Sequence, residues 1–346
     1  MMFSLLKEVG RGKKGARDLT YEEAVMGAGM IITGKATPAQ IGAFLIAERI
    51  KMESTEEIQA FVDVCRNTST VHPIKGGFDC AGPYDGRKRS FIATFPTAFV
   101  LASCGLPVTL HGSAPLPPKM GITLTDLLHE IGVSTGADSR NAHLAGAEKG
   151  GVLFISTEHW CPPLGGLRGI RQELGVRTVF NTVEKLLRLS EAPYMAVGVF
   201  HGTVFEKMSK LIIQLGIKRG IILQGVEGSE DLALDKRTRT YIVRDGASEL
   251  YIVDPEIFEL QAEMPEVEWT AALQAQTALK VLRGESEMYY HNMVLLNSAL
   301  RLWIAEKVDS VEEGIYHAKY ALEQGMALKK YEQWLEAVQT QHLEIS

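Results

Sequence analysis

The feature that most constrains this chain is a change in its hydrophobic pattern near residue 76. Before it, residues 1 to about 70 carry helix signals only. Three hydroxyl residues stand three positions ahead of Glu or Gln, in Thr20-Tyr-Glu-Glu23, Thr37-Pro-Ala-Gln40 and Ser54-Thr-Glu-Glu57. In such capping boxes two amide donors orphaned at a helix start are satisfied reciprocally. Pro38 falls in a first turn, where its missing N–H is harmless, and Ile41, Phe44, Leu45 and Ile50 follow at roughly helical spacing. After residue 76 the apolar residues gather into short runs at 107–110, 152–155, 195–200, 220–223, 241–243 and 250–253. Helical stretches such as 125–131 and 204–215 separate them. Apolar strands alternating with helices predict an α/β fold with a mostly parallel central sheet covered on both faces.

The expected organisation is therefore a small all-helical N-terminal domain over residues 1–73 and a larger α/β domain over 74–346. Residues 167–189 read as helical and are expected to pack in part on the first domain. Residues 268–338, rich in Ala, Leu, Glu and Lys, read as helical again. At 346 residues with 46% hydrophobic content, the chain has enough apolar material for a sizeable core. The formal charge of −6 disfavours a generally basic nucleic-acid or membrane-surface binder, although not a local basic patch. Four cysteines without a CxxC pair exclude the usual zinc and redox spacings and suit reduced thiols. No apolar run reaches membrane-spanning length, and the apolar part of the first residues is too short for a signal peptide. The expectation is a cytoplasmic protein with no membrane partner.

In open α/β sheets, ligands bind beyond the carboxyl ends of the strands, which directs attention to four segments. In Cys80-Ala-Gly-Pro-Tyr-Asp-Gly-Arg-Lys-Arg89, Gly82 and Gly86 permit close backbone approach, while Asp85, Arg87, Lys88 and Arg89 carry charge suited to a pyrophosphate. An ordinary charged turn reads the same way. His111-Gly-Ser-Ala-Pro-Leu-Pro-Pro-Lys-Met-Gly121 sets an irregular backbone after a strand, with His111 to orient a ligand and Lys119 to meet phosphate. Either side chain could equally be a hydrogen-bonded or solvated loop residue. In Gln224-Gly-Val-Glu-Gly-Ser-Glu-Asp231 the pair Glu230 and Asp231 could hold Mg²⁺ through carboxylate oxygens and water; an acidic surface turn is the plainer alternative. Arg171, in Arg171-Gln-Glu-Leu-Gly-Val-Arg177, could clamp a carboxylate bidentately or be an exposed helical arginine. Together the four suggest a site for a phosphorylated ligand with Mg²⁺.

The order of these segments, with Ala36-Thr-Pro-Ala-Gln-Ile-Gly-Ala-Phe-Leu45, Ala98-Phe-Val-Leu-Ala-Ser-Cys-Gly-Leu-Pro-Val108, His111-Gly112, Glu173-Leu-Gly-Val-Arg-Thr-Val-Phe-Asn181 and Val294-Leu-Leu-Asn-Ser-Ala299, resembles the anthranilate phosphoribosyltransferase family, glycosyltransferase family three, over almost the whole chain. The resemblance implies a homodimer through the helical domain. It also implies Mg²⁺-assisted transfer of a phosphoribosyl group from phosphoribosyl pyrophosphate to an aromatic amine. By matching, Gly82, Asp85, Gly86, Thr94, Gly112 and Lys119 would lie at the donor, Glu230 and Asp231 at the metal, and His111 with Arg171 near the acceptor.

The departures fall in the site itself. The family's Gly-Thr-Gly-Gly-Asp run is matched by Ala81-Gly-Pro-Tyr-Asp85, its Asn-x-Ser-Thr by Ile92-Ala-Thr-Phe95, its Asp-Glu pair by Glu230-Asp231, and its Gly-Pro is replaced near Glu184-Lys185. Gly10-Arg-Gly-Lys-Lys-Gly-Ala-Arg-Asp-Leu19 and Cys161-Pro-Pro-Leu164 resemble instead a second, paralogous branch of the family, whose members can bind nucleic acid. That likeness implies an alternative: a non-catalytic nucleic-acid-binding homodimer, with Arg11, Lys13, Lys14 and Arg17 forming a basic strip with Arg87, Lys88 and Arg89.

Overall fold

A computed structural model describes residues 1–12 and 14–343. Helices α1 (Met2–Val9), α2 (Tyr21–Ile32), α3 (Pro38–Lys51) and α4 (Thr55–Arg66) form the N-terminal bundle. All three capping boxes close as the sequence predicts, with Thr20 and Glu23, Thr37 and Gln40, and Ser54 and Glu57 satisfying each other's backbone amides. A fourth, Thr123 with Asp126, opens the helix Leu124–Glu130.

The remainder is built on one seven-stranded sheet in the order β3-β2-β1-β4-β5-β6-β7. Its strands are β1 (Phe78–Ala81), β2 (Val108–Gly112), β3 (Val152–Ser156), β4 (Tyr194–Gly198), β5 (Arg219–Leu223), β6 (Thr238–Arg244) and β7 (Ala247–Val253). The first five run parallel, and β6 and β7 close the edge as an antiparallel pair. Every strand expected from the apolar runs is present within a few residues. The strand that no such run announced is β1, the short segment Phe78-Asp79-Cys80-Ala81 between β2 and β4. A four-residue strand with an internal aspartate offers no apolar run to read.

Period-2 alternation sends neighbouring residues to opposite faces, and each face has its own core. Phe154, Ala196 and Ile221 join Thr94–Ser103 and the C-terminal helices Ala271–Arg283, Met288–Ile304, Val311–Glu323 and Met326–Leu343. Their neighbours Ile155, Met195, Val197 and Ile222 pack in a second cluster with Phe44 and Phe61 of the bundle. Leu167, Val179, Phe180, Val183 and Leu186 belong to that second cluster, and Phe180 meets Phe61 edge-on at 5.5 Å. The stretch 167–189 is not one helix. Arg168–Leu174 ends at Gly175, whose φ of 64° is cheap only for glycine, and a second turn, Phe180–Val183, follows. That break brings Arg171, Arg177 and Lys185 to the carboxyl edge of the parallel strands, between the bundle and the sheet.

Candidate active site

The loops after β1, β2, β4 and β5 converge at this edge. Gly86 lies where the first two cross: its φ is +75°, and a Cβ there would stand 2.3 Å from the Gly121 carbonyl oxygen. Paired backbone hydrogen bonds between Arg87 and Ile122, 2.8 Å each, fasten the crossing. Gly86 thus clamps two loops instead of facing a ligand, a correction to its expected donor role.

Asp85, buried, accepts from Arg177 at 2.7 Å and pairs with Lys119 at 3.4 Å. Lys119 also donates to the Glu227 carbonyl at 3.0 Å, and burial lowers its pKa. The Glu227 carboxylate is itself engaged, accepting from the Lys88 and Arg89 amides and the Ser90 hydroxyl. Lys185 donates to the Gly198 carbonyl at 2.8 Å. Burial first, then the positive charge of Arg177, pushes its ammonium down to about 8. Arg177 and Lys185 line a cleft of about 200 Å³ with Lys207, His201 and Phe200. Phe200 is 45% exposed, with the Arg177 guanidinium 5.2 Å from its ring centre and His201 edge-on at 4.9 Å.

The acidic pair splits. Asp231 is fully buried and its oxygens are taken: Arg87 donates at 2.7 Å, the Thr94 amide at 2.9 Å and Arg301 at 3.0 Å. Asp231 is therefore an internal counter-ion, not an open metal ligand as the sequence suggested. Glu230 is 1% exposed and neither of its carboxylate oxygens has a hydrogen-bond partner; Arg87 approaches no closer than 3.7 Å. It faces Gly82, where a Cβ would stand 2.8 Å from its Oε2. A buried carboxylate without hydrogen-bond partners is costly, and the Arg87 guanidinium at 3.7 Å offsets part of its charge. Glu230, Gly82, Gly112, His111 and Thr94, whose hydroxyl is also unpartnered, line an inner chamber of about 20 Å³.

Tyr84 stands between cleft and chamber and lines both. Its hydroxyl meets His111 Nδ1 at 2.6 Å, Thr157 Oγ1 at 2.6 Å and the Glu184 carbonyl at 3.1 Å. Asp79 holds the other face of the imidazole, 2.8 Å from Nε2. Arg171, expected to reach an acceptor carboxylate, is 2% exposed and donates bidentately to Glu184 at 2.8 and 2.9 Å. An internal carboxylate occupies it.

The basic strip is not assembled as expected. Arg87 is buried on Asp231; Arg11 pairs with Glu8, and Arg17 with Glu8 and Glu23. Lys14, Lys88 and Arg89 are exposed, and Lys13 lies outside the described residues. Sequence reasoning had no role for Asp79, Tyr84, Arg177, Lys185 or Arg301. The one available signal was Glu184-Lys185, two charges flanked directly by Val183, Leu186 and Leu187. Among the described residues no group of three or more His, Cys, Asp and Glu is arranged to hold a metal, and no helix is long and apolar enough to cross a membrane.

A helical bundle set against a mostly parallel sheet, with a cationic cleft at the strand ends, defines a glycosyl-transfer scaffold. Residues 85–328 match the α/β domain of the glycosyl transferase family, and residues 4–69 its helical bundle domain. Anthranilate phosphoribosyltransferase of Acetivibrio thermocellus is 32% identical over 324 residues, covering 92% of this chain and 93% of that one. The Desulfitobacterium hafniense (strain DCB-2) enzyme of the same name is 31% identical over 303 residues, 86% and 88% of the two chains. The anthranilate phosphoribosyltransferase structure from Thermus thermophilus superposes with a TM-score of 0.81 at 24% identity, over 97% and 99% of the chains. The Saccharomyces cerevisiae enzyme in complex with PRPP and Mg gives 0.82 at 18%, over 98% of both. The chain belongs to the anthranilate phosphoribosyltransferase family.

Proposed function

We propose that this chain binds phosphoribosyl pyrophosphate, or another phosphorylated small molecule, between the bundle and the sheet, and that it transfers the sugar phosphate to a small nitrogenous acceptor. The observation that carries the reading is the convergence of Arg177 and Lys185 on the cleft, with Lys119 beside Arg177 on Asp85, and of a buried Glu230 carboxylate that makes no hydrogen bond across Gly82. The three cations attract phosphate oxygens. Mg²⁺ fits the residues present through Glu230 alone, with phosphate and water oxygens completing its shell, since Asp231 is engaged. When bound, the ion would offset charge on the departing pyrophosphate. Thr94 and the backbone at Gly82 and Gly112 border the same space and orient the donor. The acceptor nitrogen attacks the anomeric carbon as pyrophosphate leaves, so the protein supplies position and fixed charge in place of a nucleophile. Because Glu184 holds Arg171, the acceptor here is not recognised through a carboxylate at that arginine.

A second reading has one observation in its favour. Exposed Phe200, flanked by Arg177 and His201 above a cationic cleft, offers a base-stacking platform of the kind single-stranded nucleic acid uses. On that reading the chain is a nucleic-acid-binding homodimer, and Phe3 and Met26, exposed on the bundle, support pairing through it. Four free thiols support a reducing, cytoplasmic setting. The test is calorimetric titration of phosphoribosyl pyrophosphate with Mg²⁺ into the protein and into Glu230→Gln, beside titration of a single-stranded oligonucleotide at two salt concentrations. Saturable donor binding that loses its Mg²⁺ dependence in the variant supports the transferase. Absence of donor binding, with salt-dependent oligonucleotide binding weakened by Phe200→Ala, replaces it with the second reading.

A further inference from the structure

Resting on the transferase reading, we infer that Tyr84 is the gate of the inner chamber and decides which ligands reach it. The chamber is a built site. Its wall holds the unpartnered Glu230 carboxylate and Thr94 hydroxyl, side chains 1% exposed. Burial without a partner is tolerated only where something else supplies one. Yet the space of about 20 Å³ admits little more than one water, whereas sites for small organic ligands measure roughly 300 Å³ or more. Two residues, Pro83 and Tyr84, line both this chamber and the cleft of about 200 Å³, and of the two Tyr84 carries the larger side chain.

Neighbouring strands latch that ring. Asp79 lies 2.8 Å from His111 Nε2 and fixes the imidazole, whose Nδ1 meets the Tyr84 hydroxyl at 2.6 Å, while the Glu184 carbonyl accepts from the same hydroxyl at 3.1 Å. The Thr157 hydroxyl shares a hydrogen bond with the same phenol oxygen at 2.6 Å. Burial raises the Tyr84 pKa well above its ordinary value, so the phenol keeps the proton this latch needs. Pro83 restricts the backbone beside it, while Gly82 leaves room toward Glu230. The closed state therefore rests on two short hydrogen bonds, to His111 on β2 and Thr157 just after β3, and a longer one to the Glu184 carbonyl, with Asp79 on β1 holding the imidazole. A phosphorylated ligand reaches Glu230 and Thr94 only after the phenol releases His111 and Thr157. The apparent affinity is the intrinsic one multiplied by the fraction of molecules with Tyr84 open. Small anions that stay in the outer cleft, against Arg177 and Lys185, do not pay this factor.

The experiment titrates phosphoribosyl pyrophosphate with Mg²⁺, and separately sulfate, into the intact protein, Tyr84→Phe and Tyr84→Gly. Tyr84→Phe keeps the ring and removes its hydrogen bonds, so it folds and yet opens more readily. Donor affinity is expected to rise roughly tenfold in Tyr84→Phe, and at least as far in Tyr84→Gly, while sulfate affinity stays constant. Equal donor affinity in all three proteins, with sulfate still bound, overturns the gate and leaves the cleft reading intact. Neither ligand binding to any of the three overturns both. Melting temperatures recorded alongside separate a lost site from a lost fold.

Discussion

Lys185 makes anion binding at the cleft a proton-coupled event. Its ammonium is held down at about 8 against an ordinary 10.5 by burial and by Arg177, with Lys119 acting in the same direction and Asp85 and Glu230 opposing. That difference corresponds to at most about 3 to 4 kcal/mol between charged and neutral forms, less whatever the water in the cleft screens. An anion against Lys185 restores the charge, so the bound state takes up a proton. At pH 8 half of the free molecules lack it, and binding should draw about half a proton from the buffer; at pH 6.5 almost none. Affinity should fall by roughly tenfold between pH 7 and pH 9 if the bound lysine regains an ordinary pKa. Sulfate suits the assay because it does not titrate in this range. Calorimetry in two buffers of different ionisation enthalpy reads the proton uptake directly. Buffer-independent heats at pH 8, or the same pH dependence in Lys185→Met, would refute the reasoning. The sign for folding is fixed by the same shift. The unfolded chain binds more protons between pH 8 and 10.5, so this group's contribution to stability rises through that window and its penalty is complete below pH 8.

Other expectations follow from the buried charges. Asp231→Ala strands Arg87 and Arg301 and should cost about 3–5 kcal/mol in denaturant unfolding; a loss below about 1 kcal/mol would mean that the arginines find other partners. Glu230→Gln removes a buried carboxylate that makes no hydrogen bond and meets Arg87 only at 3.7 Å, so its melting temperature should hold or rise. A marked fall would show that the Arg87 contact outweighs the cost of burying the charge. Glu184→Leu and Arg171→Met should each destabilise by about 3–5 kcal/mol, and the double variant should recover most of it, because the loss comes from leaving one charge unpaired. Additive losses in that cycle would refute a closed pair. Thr37→Ala should cost about 1 kcal/mol by thermal or chemical melting, as the loss of a capping box requires.

The helical bundle, its caps and six of the seven strands were legible in the sequence because they are local. A capping box spans four residues, and a buried strand is an apolar run. The loops that carry the chemistry were legible too, since strand ends are where this topology leaves backbone free. What each side chain in those loops does was not. Glu230 and Asp231 are adjacent and chemically alike, yet one faces the inner chamber and the other two arginines, Arg87 and Arg301, separated from it by 144 and 70 positions. Arg171 reads as a ligand clamp until Glu184 is found 13 positions on, folded back by the break at Gly175. Tyr84 reads as a lost glycine until the sheet brings His111 and Thr157 to its hydroxyl, with Asp79 behind the imidazole. Local pattern determines where backbone hydrogen bonds and apolar faces go. Which charge is neutralised and which left open depends on distances of a few ångströms between residues remote in the chain, and those exist only once the sheet has formed.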